Sequence, residues 1–188
     1  MDKDWAVEIE CDECGKQHRD LCRRAVKWLL NMGCGVAVDE ITTTATSEIC
    51  DAIGFNSSGF SIVVEVKCSR ADFLRDKLKR HRANGKGMGS YRYFMAPAGI
   101  MKPDELPDGW GLVEVAEKVC RIVKGGKPTY RWQEPYPFEA DTRAERGLLC
   151  SLVRRLRDGE QSAQRIGTKK TPPSAALERA AAPTEGGK

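Results

Sequence analysis

Residues 49–76 read ICDAIGFNSSGFSIVVEVKCSRADFLRD, and the fold turns on how this stretch is divided. Its centre, FSIVVEVKC at 60–68, is β-branched almost throughout and follows the turn-forming run Asn56, Ser57, Ser58, Gly59, so it reads as a strand. Alternation separates two faces. Ile62, Val64, Val66 and Cys68 fall on one, while Ser61, Val63, Glu65, Lys67 and Ser69 place charge on the other. ICDAIGF at 49–55 predicts a second strand just before it. Ser69 and Asp72 have the spacing of a capping box and predict a helix over about 70–82, with Phe73, Leu74 and Leu78 facing inward.

Working outward, residues 17–31 carry Leu21, Ala25, Trp28 and Leu29 at helical spacing, ended by Gly33 and Gly35. GVAVDEIT at 35–42 predicts a strand, joined to 49–55 through a threonine-rich stretch. SYRYFMA at 90–96 and GLVEVAE at 111–117 predict two more, and KVCRIVKGGK is suited to pair back on the latter as a hairpin. In SYRYFMA, Tyr91 and Tyr93 are assigned to the core ahead of base stacking. Thr142 and Glu145 predict the cap of a last helix with Leu148, Leu149, Leu152, Val153 and Leu156 on one face. The order helix, three strands, helix, strand predicts an α+β, three-layer fold around a mixed sheet.

The chain of 188 residues has length for one core and a net charge of +4. Three parts are expected: an N-terminal CxxC segment (1–16), one domain (17–158) and a disordered tail (159–188) too poor in large apolar residues to offset its ordering entropy. No apolar run approaches the ~20 residues of a membrane span, and no leader-like start is seen, so a cytoplasmic location without membrane partners is expected. Cations concentrate locally. Between residues 67 and 92 they outnumber acids heavily, which suits a polyanion.

Asp51, Glu65 and Lys67 are the residues with chemical promise. Hydrolysis of a phosphodiester needs a nucleophilic water near neutral pH and charge stabilisation at the phosphate, and a hydrated divalent cation serves both. Mg²⁺ or Mn²⁺ takes hard oxygen ligands, typically one or two carboxylates with water and substrate phosphate. If the strands of Asp51 and Glu65 are neighbours, both carboxylates meet at a sheet edge. Val66 can add its backbone carbonyl, and Lys67, on the same face as Glu65 and about 7 Å further along, can orient water. Set against this, an ExK on an exposed strand is often only a solvated ion pair.

The segments ICDAIGF, SIVVEVKCSRADFLRDK and YRYFMAPAGIMKPDELPDGWGLVEV resemble the MmcB-like family of DNA-repair proteins and related phage proteins in the PD-(D/E)XK nuclease superfamily, over roughly residues 20–116. The resemblance implies a restriction-endonuclease-like fold, with Asp51, Glu65 and Lys67 as its D…ExK residues and DNA as its partner. The acid that many relatives carry on the first helix has only Asp20 as a candidate there, with Glu40 and Glu48 as weaker substitutes. Ser69, Arg70, Arg75, Lys77, Lys79, Arg80 and Arg82 are then expected to face phosphates.

Two further readings stay open. One is a DNA-binding repair protein that keeps the nuclease fold without cutting. The other is a zinc-dependent interaction module: Cys11, Cys14, His18 and Cys22 have the number of ligands that Zn²⁺ needs, though not the spacing of a common finger, and the alternative for them is a set of unpaired thiols.

Overall fold

The computed structural model describes residues 12–39, 50–76, 87–131 and 135–167. Two units divide at Leu148 and Leu149, and the sheet with its site lies wholly in the first. Its elements are α1 (Asp12–Asn31), β1 (Val36–Asp39), β2 (Ala52–Phe55), β3 (Ser61–Val66), α2 (Arg70–Asp76), β4 (Tyr91–Pro97), β5 (Gly111–Val115), β6 (Cys120–Lys124) and the start of α3 (Thr142–Gly167). The expected α+β, three-layer architecture is present.

One six-stranded sheet runs β1-β2-β3-β4-β5-β6 in chain order. β1, β2 and β3 form an antiparallel meander, β3, β4 and β5 are parallel, and β6 returns antiparallel to β5. The parallel joins require crossovers, and the β3 to β4 connection carries α2.

The period-two pattern of β3 decides which core each residue enters. Ile62, Val64 and Val66 pack under α1 with Leu21, Ala25, Trp28, Leu29, Tyr91 and Tyr93. On the other face, Phe73 of α2 packs with Phe94, Met101, Leu106 and Trp110. Tyr91 and Tyr93 are core residues, as expected. Their hydroxyls donate to the carbonyls of Thr129 (2.7 Å) and Gly126 (2.5 Å), so neither ring carries an unmet polar end inward.

Element ends differ from the sequence reading for local reasons. Ser69 does cap α2, since its Oγ accepts from the Asp72 N–H at 3.2 Å, while the Asp72 carboxylate accepts from Cys68. Phe73 is buried but Leu74 is exposed at 44%, because a two-turn helix covers only a narrow strip of sheet. Leu78, together with the expected second half of this helix, falls outside the described residues.

The cap of α3 is Asp141 rather than Thr142: its Oδ1 accepts from the Ala144 N–H at 2.9 Å. Glu145 is thereby released to turn inward. Its Oε1 accepts from the Ser61 hydroxyl (2.6 Å) and the Gly89 N–H (2.9 Å). Glu145→Ala would strand both buried donors, so a loss of about 3 kcal/mol is expected in urea unfolding. An unchanged midpoint would show the network to be unimportant.

In the second unit, the rest of α3 runs to Gly167, past the end expected at Asp158, and presents Val153 and Leu156 to solvent. Residues 168–188, the remainder of the expected disordered tail, lie outside the described residues.

Candidate active site

The C-terminal end of β3 brings the three predicted residues together. Ala52 pairs with Val64, and Asp51 is the residue just before β2, beside the end of β3 that carries Glu65. β2 begins only at Ala52, and the Asp51 side chain takes up the backbone beyond it: its Oδ2 accepts from the Val66 N–H at 2.7 Å. That bond ties Asp51 to the backbone between Glu65 and Lys67. Lys67 continues the edge, its N–H donating to the Met95 carbonyl of β4 at 2.9 Å.

Glu65 and Lys67 are buried, at 5% and 6% exposure. Such depth disfavours the bland reading, because a solvated ion pair on a strand has no reason to be enclosed. Burial by itself would push the Asp51 carboxyl up. The hydrogen bonds from His18 and Val66, with the positive charges of His18 and Lys67, outweigh it and hold the group below its ordinary value. Asp51 is therefore ionised at neutral pH, the state that a metal ligand needs.

His18 is the residue that sequence reasoning assigned elsewhere. Its Nε2 stands 3.4 Å from Asp51 Oδ1, and its Nδ1 contacts the Cys22 sulfur at 3.6 Å, one helical turn away. Asp20, the expected helix acid, instead pairs with Arg24 at 3.3 Å and is away from the site. A signal for this existed. His18 continues the buried stripe of α1 through Cys22, Ala25 and Leu29, whereas Asp20 is off that stripe.

The hydrogen bonds to Asp51 and then to Cys22 push the His18 imidazole up to about 11 against the opposing effect of burial. Below its ordinary value of 6.5 the ring is protonated whether the chain is folded or not, so the pair contributes fully. As pH rises toward 11, the unfolded chain gives up this proton first and stability falls. Wild type is expected to lose its advantage over His18→Gln progressively between about pH 6.5 and about pH 11, read by urea unfolding in EDTA. Parallel curves for the two proteins would count against the pair.

Of the expected zinc ligands, Cys11 lies outside the described residues, as does the side chain of Cys14. His18 and Cys22 do touch, but Cys22 is fully buried and His18 spends its other nitrogen on Asp51. Among the described residues no three His, Cys, Asp or Glu side chains converge as a ready-made metal cluster. Asp51 and Glu65 are hard oxygen donors, the chemical type that a hydrated Mg²⁺ or Mn²⁺ takes.

The expected phosphate-facing residues divide. Arg70 makes a bidentate pair with Glu105 and donates to the Ile100 carbonyl at 3.3 Å, fastening α2 to the loop before β5. Ser69 caps α2, and Arg75 lies in its last turn. Lys77, Lys79, Arg80 and Arg82, like Glu40 and Glu48, lie outside the described residues.

The fold has a counterpart among solved structures. The SPO1766 protein of unknown function from Silicibacter pomeroyi superposes with a TM-score of 0.50 at 20% identity, covering 86% of this chain and 96% of that one. At that identity the likeness shows a common fold and carries no activity with it. No family model and no curated protein matches the chain. Among the described residues no helix is long and apolar enough to cross a membrane.

Proposed function

We propose that this chain is a Mg²⁺- or Mn²⁺-dependent DNA phosphodiesterase of the PD-(D/E)XK kind, with DNA repair as its setting. The observation that carries the reading is the enclosed edge of β3: Asp51 fastened to Val66 N–H and within the field of Lys67, with Glu65 buried next to that bond. The helix, three-strand meander, helix and parallel strand follow the order read from the sequence.

When bound, the metal would acidify water and offset charge on the phosphate. Asp51 and Glu65 would supply the anionic oxygens to hold it, with the Val66 carbonyl as a further oxygen donor. Lys67, buried at the same edge, orients a water or steadies the extra negative charge on the phosphate. His18 keeps Asp51 oriented and charged from the side of α1.

The non-cutting alternative draws on one observation. Asp51 already has the His18 imidazolium as its counter-ion, which a metal would have to displace. Incubating labelled single-stranded, duplex and branched DNA with Mg²⁺ or Mn²⁺, beside Glu65→Gln, decides between them. Wild-type cleavage that Glu65→Gln loses supports the enzyme; binding without metal-dependent cleavage by wild type supports the alternative.

A further inference from the structure

We infer that a cationic cavity between α1 and the β5–β6 hairpin carries the DNA strand beyond the Asp51–Glu65–Lys67 edge. The inference rests on the nucleic-acid reading above and assigns the path that the strand takes across the protein.

The cavity encloses about 750 Å³, and Arg24, Lys27, Lys118 and Arg121 contribute to its wall while no carboxylate does. Lys27, Lys118 and Arg121 are exposed. Arg24 has a different task. It donates to the carbonyls of Ala116 (2.8 Å) and Glu117 (2.6 Å), pinning the hairpin turn to α1, and the turn itself closes through Ala116 N–H to Val119 O at 2.9 Å. Lys118 is thus presented from a braced turn rather than a loose one, which lowers the ordering cost of a contact. Trp28 and Ile122 add an apolar floor, and Val119, 57% exposed, an apolar lip. Cations above apolar surface suit phosphates with attached sugar and base, without readout of sequence.

Position supplies the second argument. Val66 of β3 pairs with Met95, and Ala96 of β4 with Glu114, so these parallel strands end at one edge of the sheet. Lys67 follows β3 there, and the Ala116–Val119 turn follows β5 at the same edge. With strands about 4.8 Å apart, β6 lies three spacings, roughly 14 Å, from β3. One strand of duplex carries a phosphate every ~3.4 Å of axis, so about four nucleotides bridge the site and the cavity.

Two other cavities among the described residues lack this combination. The one along α1 and β1 mixes Arg23, Arg24 and Lys27 with Asp20 and Asp39. The one beside the β2–β3 turn has Lys127 as its sole charged wall residue.

The test measures anisotropy of fluorescein-labelled DNA strands of about 2 nucleotides, too short to bridge the site and the cavity, and about 16 nucleotides in EDTA, with the full chain carrying Lys118→Glu and Arg121→Glu together. Reversing two surface charges is expected to weaken the longer strand at least tenfold and to lower the salt slope by about two, with little change for the shorter. Equal affinity of wild type and variant for the longer strand overturns the inference. So does binding that AMP competes away equally at both lengths, which would make the cavity a mononucleotide site. Benzoylphenylalanine at Val119 gives an independent reading: ultraviolet crosslinking to the longer strand is expected, and its absence counts against the path. Cleavage is scored separately with Glu65→Gln. Weakened binding by the charge reversal in a protein that never cuts would retain the strand path and remove the catalytic reading, while normal cutting with no effect of the reversal would do the opposite.

Discussion

Glu65→Gln is expected to lower metal-dependent DNA cleavage a thousandfold or more while leaving DNA affinity within about threefold of wild type. The substitution preserves volume in a buried position and, on the proposed reading, removes one of two anionic oxygen donors, so the metal would lose a ligand and the protein no phosphate contact. Lys67→Met should cost about a hundred- to a thousandfold in the same assay, the usual scale for one preorganised charge-stabilising group. The two differ in what else they change. Losing the Lys67 charge also lets the Asp51 carboxyl drift back toward its ordinary value. A single-turnover rate for Lys67→Met equal to wild type, on protein shown folded by thermal melting, would remove lysine from the mechanism. Full cleavage by Glu65→Gln would remove the site.

How far such a site can be read from sequence depends on the range of the forces that build it. Strand alternation is local, so Glu65 and Lys67 were assignable to one face of β3 from FSIVVEVKC alone, and Asp51 to the adjoining strand from a short turn. The sheet order was nearly as accessible, since β1 to β6 lie in chain order and consecutive elements pair. What escaped was the identity of groups reaching the edge from elsewhere. His18 sits 33 residues before Asp51 and was claimed by a competing local pattern, the cysteines around it. Arg70 with Glu105 and Arg24 with the Ala116–Glu117 carbonyls join residues 35 and 92 to 93 apart, and no local pattern distinguishes a cation committed to such a brace from one that meets a phosphate. Charge density in the sequence therefore located a basic region without assigning tasks to its members. The structure gives Arg70 a structural role and draws attention to Lys118 and Arg121, which lie outside that dense run.

Gly111→Ala should be the most disruptive one-methyl change in the sheet. Gly111 opens β5 directly opposite Tyr93, and a Cβ built there would lie 2.3 Å from two carbons of the tyrosine ring and 3.0 Å from the Lys124 carbonyl. The backbone conformation is ordinary, so the cost is one of space. Tyr93 cannot step aside, because Trp28 packs edge-on at 5.2 Å between ring centroids and the hydroxyl is held by the Gly126 carbonyl at 2.5 Å. Overpacking of this kind costs about 3 kcal/mol, which in a chain of this size lowers Tm by roughly 6 to 12 °C. Tyr93→Phe with Gly111→Ala should not restore stability, since the clash is with the ring and not the hydroxyl; Tyr93→Leu with Gly111→Ala should recover part of it by freeing the occupied volume. A Tm for Gly111→Ala within about 2 °C of wild type would mean that β5 and Tyr93 can separate at little cost. Because β5 leads into the turn that Arg24 pins, such a separation would also loosen the wall of the cationic cavity, and the stability and DNA-binding measurements on this one variant should move together.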